Sequence, residues 1–360
     1  MSAVRRHAVP RGRRRRVIVA VAALACLGLV GWLLLPGGRP VASSGAAGRA
    51  TSSGSAASAP ALTLPTGSPT AASSSAASAR AKASASGPCA SPAACGFPTA
   101  ADTGPRLHAL AAHSGNLEIR RDGEVVSGWD LNGALDIYAN NVTVIDTRID
   151  SANWWAVNLR PGYTGLRVLH SLLTGQPGGG PDNGGEDFAV SNMGSGTVEV
   201  GWDDVSVFAN ALSLGHGSIH DDYVHDLKPF INRSGGYAHL DAIISDGDDR
   251  LGLRIEHNTL LNPVPVAQGT TSVIGLLPNT GPISNTAVVD NWIAGGSYAL
   301  YGGGAGAAGV VVTGNVFSTQ YWNHCGYYGP AAYWNAAGAG NQWSDNRYSS
   351  GARVNPGTAG

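Results

Sequence analysis

One short module recurs seven times along this chain and limits its fold more than any other feature. It reads apolar, any, apolar, any, polar, polar, any, apolar. Its apolar positions are Val142, Val144 and Ile149; Leu166, Val168 and Leu173; Val198, Val200 and Val205; Gly217, Ile219 and Val224; Leu253, Ile255 and Leu260; Thr286, Val288 and Ile293; and Val310, Val312 and Phe317. Nineteen of these 21 positions are apolar, against about nine for a chain that is 43% hydrophobic, and only Gly217 and Thr286 depart. The starts lie 24, 32, 19, 36, 33 and 24 residues apart. Spacings of roughly 20–50 residues mark solenoids and propellers. Short Val- and Ile-rich runs punctuated by Gly, Asn and Asp read as strands and turns. No long stretch carries a helical apolar stripe. A constant module at variable spacing predicts an all-β solenoid with loops inserted at the turns, where added length costs little.

The fifth residue after each start is short and polar: Thr147, Ser171, Asp203, Asp222, Asn258, Asn291 and Asn315. Coils of such a solenoid stack ~4.8 Å apart, so these side chains are expected to form a hydrogen-bonded ladder along one turn. That role takes Asp203 and Asp222 away from catalysis.

Charge divides the chain. All 24 acidic residues follow position 100, and 11 of the 23 basic residues precede position 90. Residues 90–360 therefore carry 24 acidic and 12 basic side chains, a formal −12. Such a domain repels phosphate backbones, so no nucleic-acid partner is expected. Residues 1–36 hold seven arginines before position 17, then an uncharged apolar run from Val17 to Leu35. About 20 apolar residues span a bilayer, and basic residues before them hold the N-terminus inside. The segment reads as a signal anchor or, with a cut near Val41–Ser43, a cleaved signal peptide. Either reading puts the remainder outside the cell and makes the membrane a partner through this helix. Residues 37–94, mostly Ser, Ala, Gly, Thr and Pro, lack the apolar surface to offset ordering entropy and read as a disordered linker. Residues 95–360 form the main domain. Cys89 and Cys95 bracket a short loop and are disulfide candidates in an oxidising compartment, with Cys325 as an alternative partner for either.

The segments CGFPTAADTG at 95–104, NNVTVIDTRI at 140–149, SIHDDYVHDL at 218–227, YAHLDAII at 237–244, LRIEHNTLL at 253–261 and CGYYGPAAYW at 325–334 give the domain a family likeness. It resembles the pectate-lyase-like superfamily, and within it a group of secreted β-helix proteins of high-GC bacteria. The resemblance implies a single-stranded, right-handed parallel β-helix. The group usually carries His-x-Asp-Gly in the fourth segment, where this chain has Ala242 in place of the glycine.

His239 and Asp241 alternate in an extended segment, so they are expected on one side of a strand and are the candidate catalytic pair. That strand is expected to stack between those around Asn210–Leu214 and Val273–Leu276. Asn158 and Arg160 are expected further along the same face, with Trp155 and Tyr298 as aromatic groove residues, and these four are the candidate substrate contacts. The aromatic residues at 321–334 are assigned to a C-terminal cap. Asp246 and Asp248, in an oxygen-rich loop, are candidate Ca²⁺ ligands; lyases of the resembled superfamily often use Ca²⁺ to bridge acidic sugars. Gly215–His216–Gly217 and Asp203–Asp204 have the residue types of polygalacturonase motifs at the wrong spacing, so they carry no assignment. The expectation is an extracellular polysaccharide lyase or glycoside hydrolase, monomeric, with a non-catalytic cell-wall polysaccharide binder or structural surface protein as the alternative.

Overall fold

Each module folds as two short strands joined by a two-residue bend. In the computed structural model, which describes residues 88–357 apart from residue 249, the modules stack in parallel with no register slip. The first strands pair Val144 with Val168, Val168 with Val200, Val200 with Ile219, Ile219 with Ile255, Ile255 with Val288 and Val288 with Val312. The second strands pair Ile149 with Leu173, Leu173 with Val205, Val205 with Val224, Val224 with Leu260, Leu260 with Ile293 and Ile293 with Phe317. A third strand completes each coil, from Trp155–Leu159 through Phe188–Asn192, Asn210–Ser213, Asp241–Ser245, Ser272–Leu276 and Tyr298–Gly302 to Gly329–Ala332. The described chain is an all-parallel β-solenoid with three columns of strands around one buried core.

The two exceptions to the module have local causes. Gly217 has φ +117°, and a Cβ there would lie 1.9 Å from the Val198 carbonyl oxygen, so the neighbouring coil leaves no room for a side chain. Thr286 is 1% exposed and its hydroxyl donates to the Ser284 carbonyl at 3.1 Å, which lets it stand among aliphatic neighbours. Two coils escape the sequence pattern. At the C-terminal end Gln342–Ser344 and Arg347–Tyr348 continue the first and second columns. At the other end the long strands Ala111–Ile119 and Trp129–Ile137 pair along nine positions.

The bend between first and second columns is uniform. Its first residue is left-handed in every coil: Asp146, His170, Trp202, Asp221, His257, Asp290, Gly314 and Asp345 have φ between 46° and 72°. The second residue is the polar ladder. Its backbone N–H donates to the side-chain oxygen of the next coil: Ser171 N to Asp203 Oδ1 at 2.6 Å, Asp203 N to Asp222 Oδ1 at 2.8 Å, Asp222 N to Asn258 Oδ1 at 2.9 Å, and so on through Asn291 and Asn315 to Asn346. Each buried asparagine also uses its NH₂ group, as Asn291 does on the Ile255 and Val289 carbonyls at 3.0 Å each. The ladder thus satisfies backbone groups that the bend removes from the sheets.

Residues 88–106 lie along the outside of the second column. Cys89 N donates to Ser349 O, Thr259 Oγ1 to Pro98 O, Gly104 N to Trp202 O, and Arg106 pairs with Asp146 at 2.7 Å. This strap runs against the coil order and packs Phe97 on His257 and Trp292. Cys89 and Cys95 are joined by a disulfide with Cα atoms 5.9 Å apart, while Cys325 is buried and free. Residues 88–94, which composition groups with the linker, are therefore part of the packed solenoid, because the bridge places Cys89 in an apolar cluster with Phe97 and Trp292. The apolar run Val17–Leu35 and linker residues 37–87 lie outside the described residues. Among the described residues no helix is long and apolar enough to cross a membrane.

Candidate functional site

The third column carries the site, because its strands bury one face and leave the other clear of the strap. Leu159, Leu212, Leu214, Ile243, Ile274 and Leu276 point into the core. Asn158, Ser213, Gly275 and Tyr301 alternate with them and so face out. A Cβ built on the outward Gly275 would sit 3.3 Å from Asp241 Oδ1 and 3.0 Å from Ser272 Oγ, which places both side chains on the outer face. Trp155, Phe188, Asn210, Asp241, Ser272, Tyr298 and Gly329 occupy equivalent positions in successive coils. At ~4.8 Å per coil, Trp155 and Tyr298 stand about 24 Å apart along this row.

At one end of the face, Arg160 lies 5.7 Å from the Trp155 ring and 5.4 Å from the Tyr138 ring. Its guanidinium is 3.4 Å from Asp136, which also accepts a bond from Asn158 Nδ2 at 3.2 Å. Met193 covers Asn158, with Nδ2 3.2 Å from Sδ. Near the middle, the Ser272 hydroxyl donates to Asp241 Oδ1. Burial pushes the Asp241 carboxyl up to about 7, with Ser272 drawing it back and nearby Asp246 adding to the rise. At the other end, Tyr298 meets Tyr301 and Tyr328 at 5.7 Å each, and Tyr301 stacks on Tyr333 at 5.5 Å. Tyr327, Tyr328 and Tyr333 are 52%, 58% and 53% exposed, so the cluster presents ring faces to solvent. Residues 321–334, expected as a cap, instead supply the last third-column strand and part of this aromatic surface.

Buried polar atoms without a hydrogen-bond partner gather on this face. They include Trp155 Nε1, Asn158 Oδ1, Arg160 Nε, Asn210 Oδ1 and Asp241 Oδ2. Two are donors and three are acceptors, a set that matches a ligand rich in hydroxyl groups.

Within the expected catalytic pair Asp241 is buried and His239 exposed. Asp241 opens the strand Asp241–Ser245, stacked as expected between Asn210–Ser213 and Ser272–Leu276. His239 precedes the strand, next to Leu240, whose bridge to Thr270 extends the pairing between coils. It is exposed, and no hydrogen bond or ion pair joins it to Asp241. Trp155, Asn158 and Arg160 do come together, and Tyr298 stands on the same row five coils on. Asp246 and Asp248 do not converge. Asp246 Oδ1 accepts from Asn279 at 2.8 Å, and Asp248 is paired with Arg250 at 2.7 Å, so an arginine supplies the positive charge a cation would bring. Among the described residues no group of three or more His, Cys, Asp or Glu is placed to hold a metal ion.

Two other groups lie outside the predicted site, and nothing in the sequence marks the first. In the insertion 176–187, Glu186 is 2% exposed and burial raises its carboxyl to about 7, while burial raises Asp187 to about 6. At the uniform bend, Asp221 accepts from His257 at 2.7 Å and lies 3.1 Å from His220, which reaches Glu199 at 3.4 Å. His257 Nε2 also meets Gly96 O at 3.0 Å, so this network anchors the strap. The strand-to-bend pattern marks His220 and Asp221, but nothing local marks Gly96 as their neighbour. No protein-family model, curated protein or solved structure matches this chain.

Proposed function

We propose that this chain is an extracellular polysaccharide-binding protein, a right-handed β-helix of the pectate-lyase-like kind, whose third-column face holds the glycan. The observation that carries the reading is the set of five unpartnered polar atoms on that face, flanked by tyrosine rings at its far end. Sugar hydroxyls complete such donors and acceptors, and ring C–H faces pack on aromatics. Met193 is unbranched and adaptable, so it can yield over Asn158. The disulfide and the basic-then-apolar N-terminus support export, with the membrane as the point of attachment. The protein acts as a monomer in this reading.

A second reading is catalysis, favoured by the Asp241 carboxyl at about 7. A carboxyl protonated near neutral pH suits a general acid for glycosidic bonds. With no hydrogen bond or ion pair joining His239 to Asp241, the carboxyl lacks a partner for proton transfer, which weighs toward binding instead.

The test incubates the full chain with plant, algal and bacterial wall polysaccharides, with Ca²⁺ or with chelator. Retention on an insoluble glycan without product supports binding. New reducing ends mean hydrolysis, and new ultraviolet absorbance means elimination; either replaces binding with catalysis. Neither retention nor product on any glycan overturns both.

A further inference from the structure

A second site lies where two inserted loops meet, beside the third-column row at Phe188 and Asp241 and two or more coils before Tyr298. The insertion 176–187 follows the second-column strand Leu172–Gly175, and the insertion 226–240 follows Tyr223–His225. They clasp each other: Asn183 Nδ2 donates to Ile231 O at 2.9 Å, Arg233 N to Asp182 Oδ1 at 2.8 Å, and the Arg233 guanidinium to Pro181 O. Between them is a pocket of about 150 Å³, below the ~300–1,000 Å³ of drug-sized sites and suited to a ligand of a few heavy atoms. Pro177, Pro229 and Phe230 supply apolar walls, Glu186 lines it and Lys228 stands in its lining. Phe230 sits flat on Gly185, where a Cβ would lie 2.2 Å from the ring.

Backbone N–H groups of Gly180 and of Glu186 itself serve one side of the buried Glu186 carboxylate and leave the other side without a donor. Glu186 is 2% exposed, its Oε1 has no hydrogen-bond partner, and no arginine or lysine pairs with it. A buried carboxylate oxygen without a partner is costly, so Oε1 calls for a donor, and best a charged one. Lys228 is exposed and pairs with no carboxylate among the described residues, and water screens it. The remaining charges near Glu186 are Asp150 and Asp187, with Asp182 behind Asp187 and Arg233 bonded to the Asp182 side. The local field therefore favours a cation.

We propose that the pocket between the two insertions binds the protonated primary amine of a small ligand, with Glu186 as its counter-charge. The glycines at 178–180, 184 and 185 leave little side-chain bulk over Glu186, so a small shift of that loop admits an ammonium group. The site does not depend on glycan binding at the third column. Its ammonium could come from an amino sugar or from a free alkylamine, and the two sources share the chemistry.

The test titrates the full chain with methylammonium, glucosamine and N-acetylglucosamine by calorimetry. Saturable binding of methylammonium is expected, strengthening about tenfold between pH 6 and pH 8 as a carboxyl near 7 ionises. Glu186→Gln, which keeps the shape and removes the charge, is expected to weaken it at least tenfold. Glucosamine competing more tightly than methylammonium identifies an amino sugar, and weaker competition identifies an alkylamine. A carbon-13 titration of the wild-type Glu186 carboxyl, expected to fall below its free value on saturation, reads the contact without a variant. Equal binding of N-acetylglucosamine and glucosamine, unchanged affinity in Glu186→Gln, or an unmoved carboxyl titration would overturn the proposal.

Discussion

The two bends that flank the second column are built by opposite rules. Across the seven modules the first has two residues, one left-handed and one in the ladder. The second ranges from two residues at 296–297 to fifteen at 226–240. In the first, every backbone bond between coils is repeated, so any inserted residue breaks a column of bonds. In the second, the chain leaves one strand and enters another without a shared ladder, so length is free to vary. The chain thus concentrates structural order at one edge and chemical variety at the other. The pocket, the tyrosines at 327 and 328 and His239 all come from the variable edge.

Changes at the uniform bend are expected to have the largest effects on stability. Asn291→Ala removes two bonds to carbonyls and leaves Asn258 N–H unpaired in the core. A loss of about 3 kcal/mol or more is expected in chemical denaturation. A loss under about 1 kcal/mol would show that the ladder is ornamental.

Asp203 and Asp222 sharpen the same point through pH. Both sit where later coils use asparagine, both are fully buried, and burial raises both carboxyls well above the usual range. The folded protein holds their protons more tightly than the unfolded chain. Their contribution is therefore complete at low pH, below the unfolded carboxylate range, and is lost as pH rises through the raised folded values. Asp222→Asn is expected to stabilise by about 2 kcal/mol at pH 8 and to change little at pH 4. Denaturation midpoints at the two pH values check it; stabilisation at pH 4 alone would reverse the sign.

The uniform edge was also the legible one. The module positions pair with their counterparts, apart from Val142 and Val310 just before their strands, and every expected ladder residue lies in the ladder. The reason is that coil stacking forces the same residue types to the same places. The coil at 341–348 is harder to read because Asn341 stands at the module start, the position that also departs at Gly217 and Thr286. The variable edge has no such constraint. Glu186 sits in a glycine-rich insertion where no period marks a buried side chain. Alternation groups His239 with Asp241 but does not reveal that one is exposed and the other buried. The strap was hidden because Cys89 and Phe97 find their neighbours by tertiary packing, not spacing.

Substitutions at the variable edge are expected to alter binding more than folding. Tyr328→Ala removes an exposed ring from the platform. It is expected to weaken glycan retention by about 1 kcal/mol, roughly fivefold, with stability unchanged within about 0.5 kcal/mol. A depletion assay on the retaining glycan, paired with a melting curve, tests both halves. His239→Ala is expected to have the smallest effect, leaving stability and retention within error, because the side chain is exposed and unpaired. A large loss of retention would return His239 to the site.

Amide hydrogen exchange of the full chain, with and without the retaining glycan, probes both edges at once. The amides of Asn258, Asn291 and Asn315 should exchange only through global opening and ignore the glycan, while protection rises at 155–160, 298–301 and 327–333. Ladder amides that exchange as fast as residues 226–240, or glycan protection confined to the first-column sheet, would contradict the division of labour between the two bends.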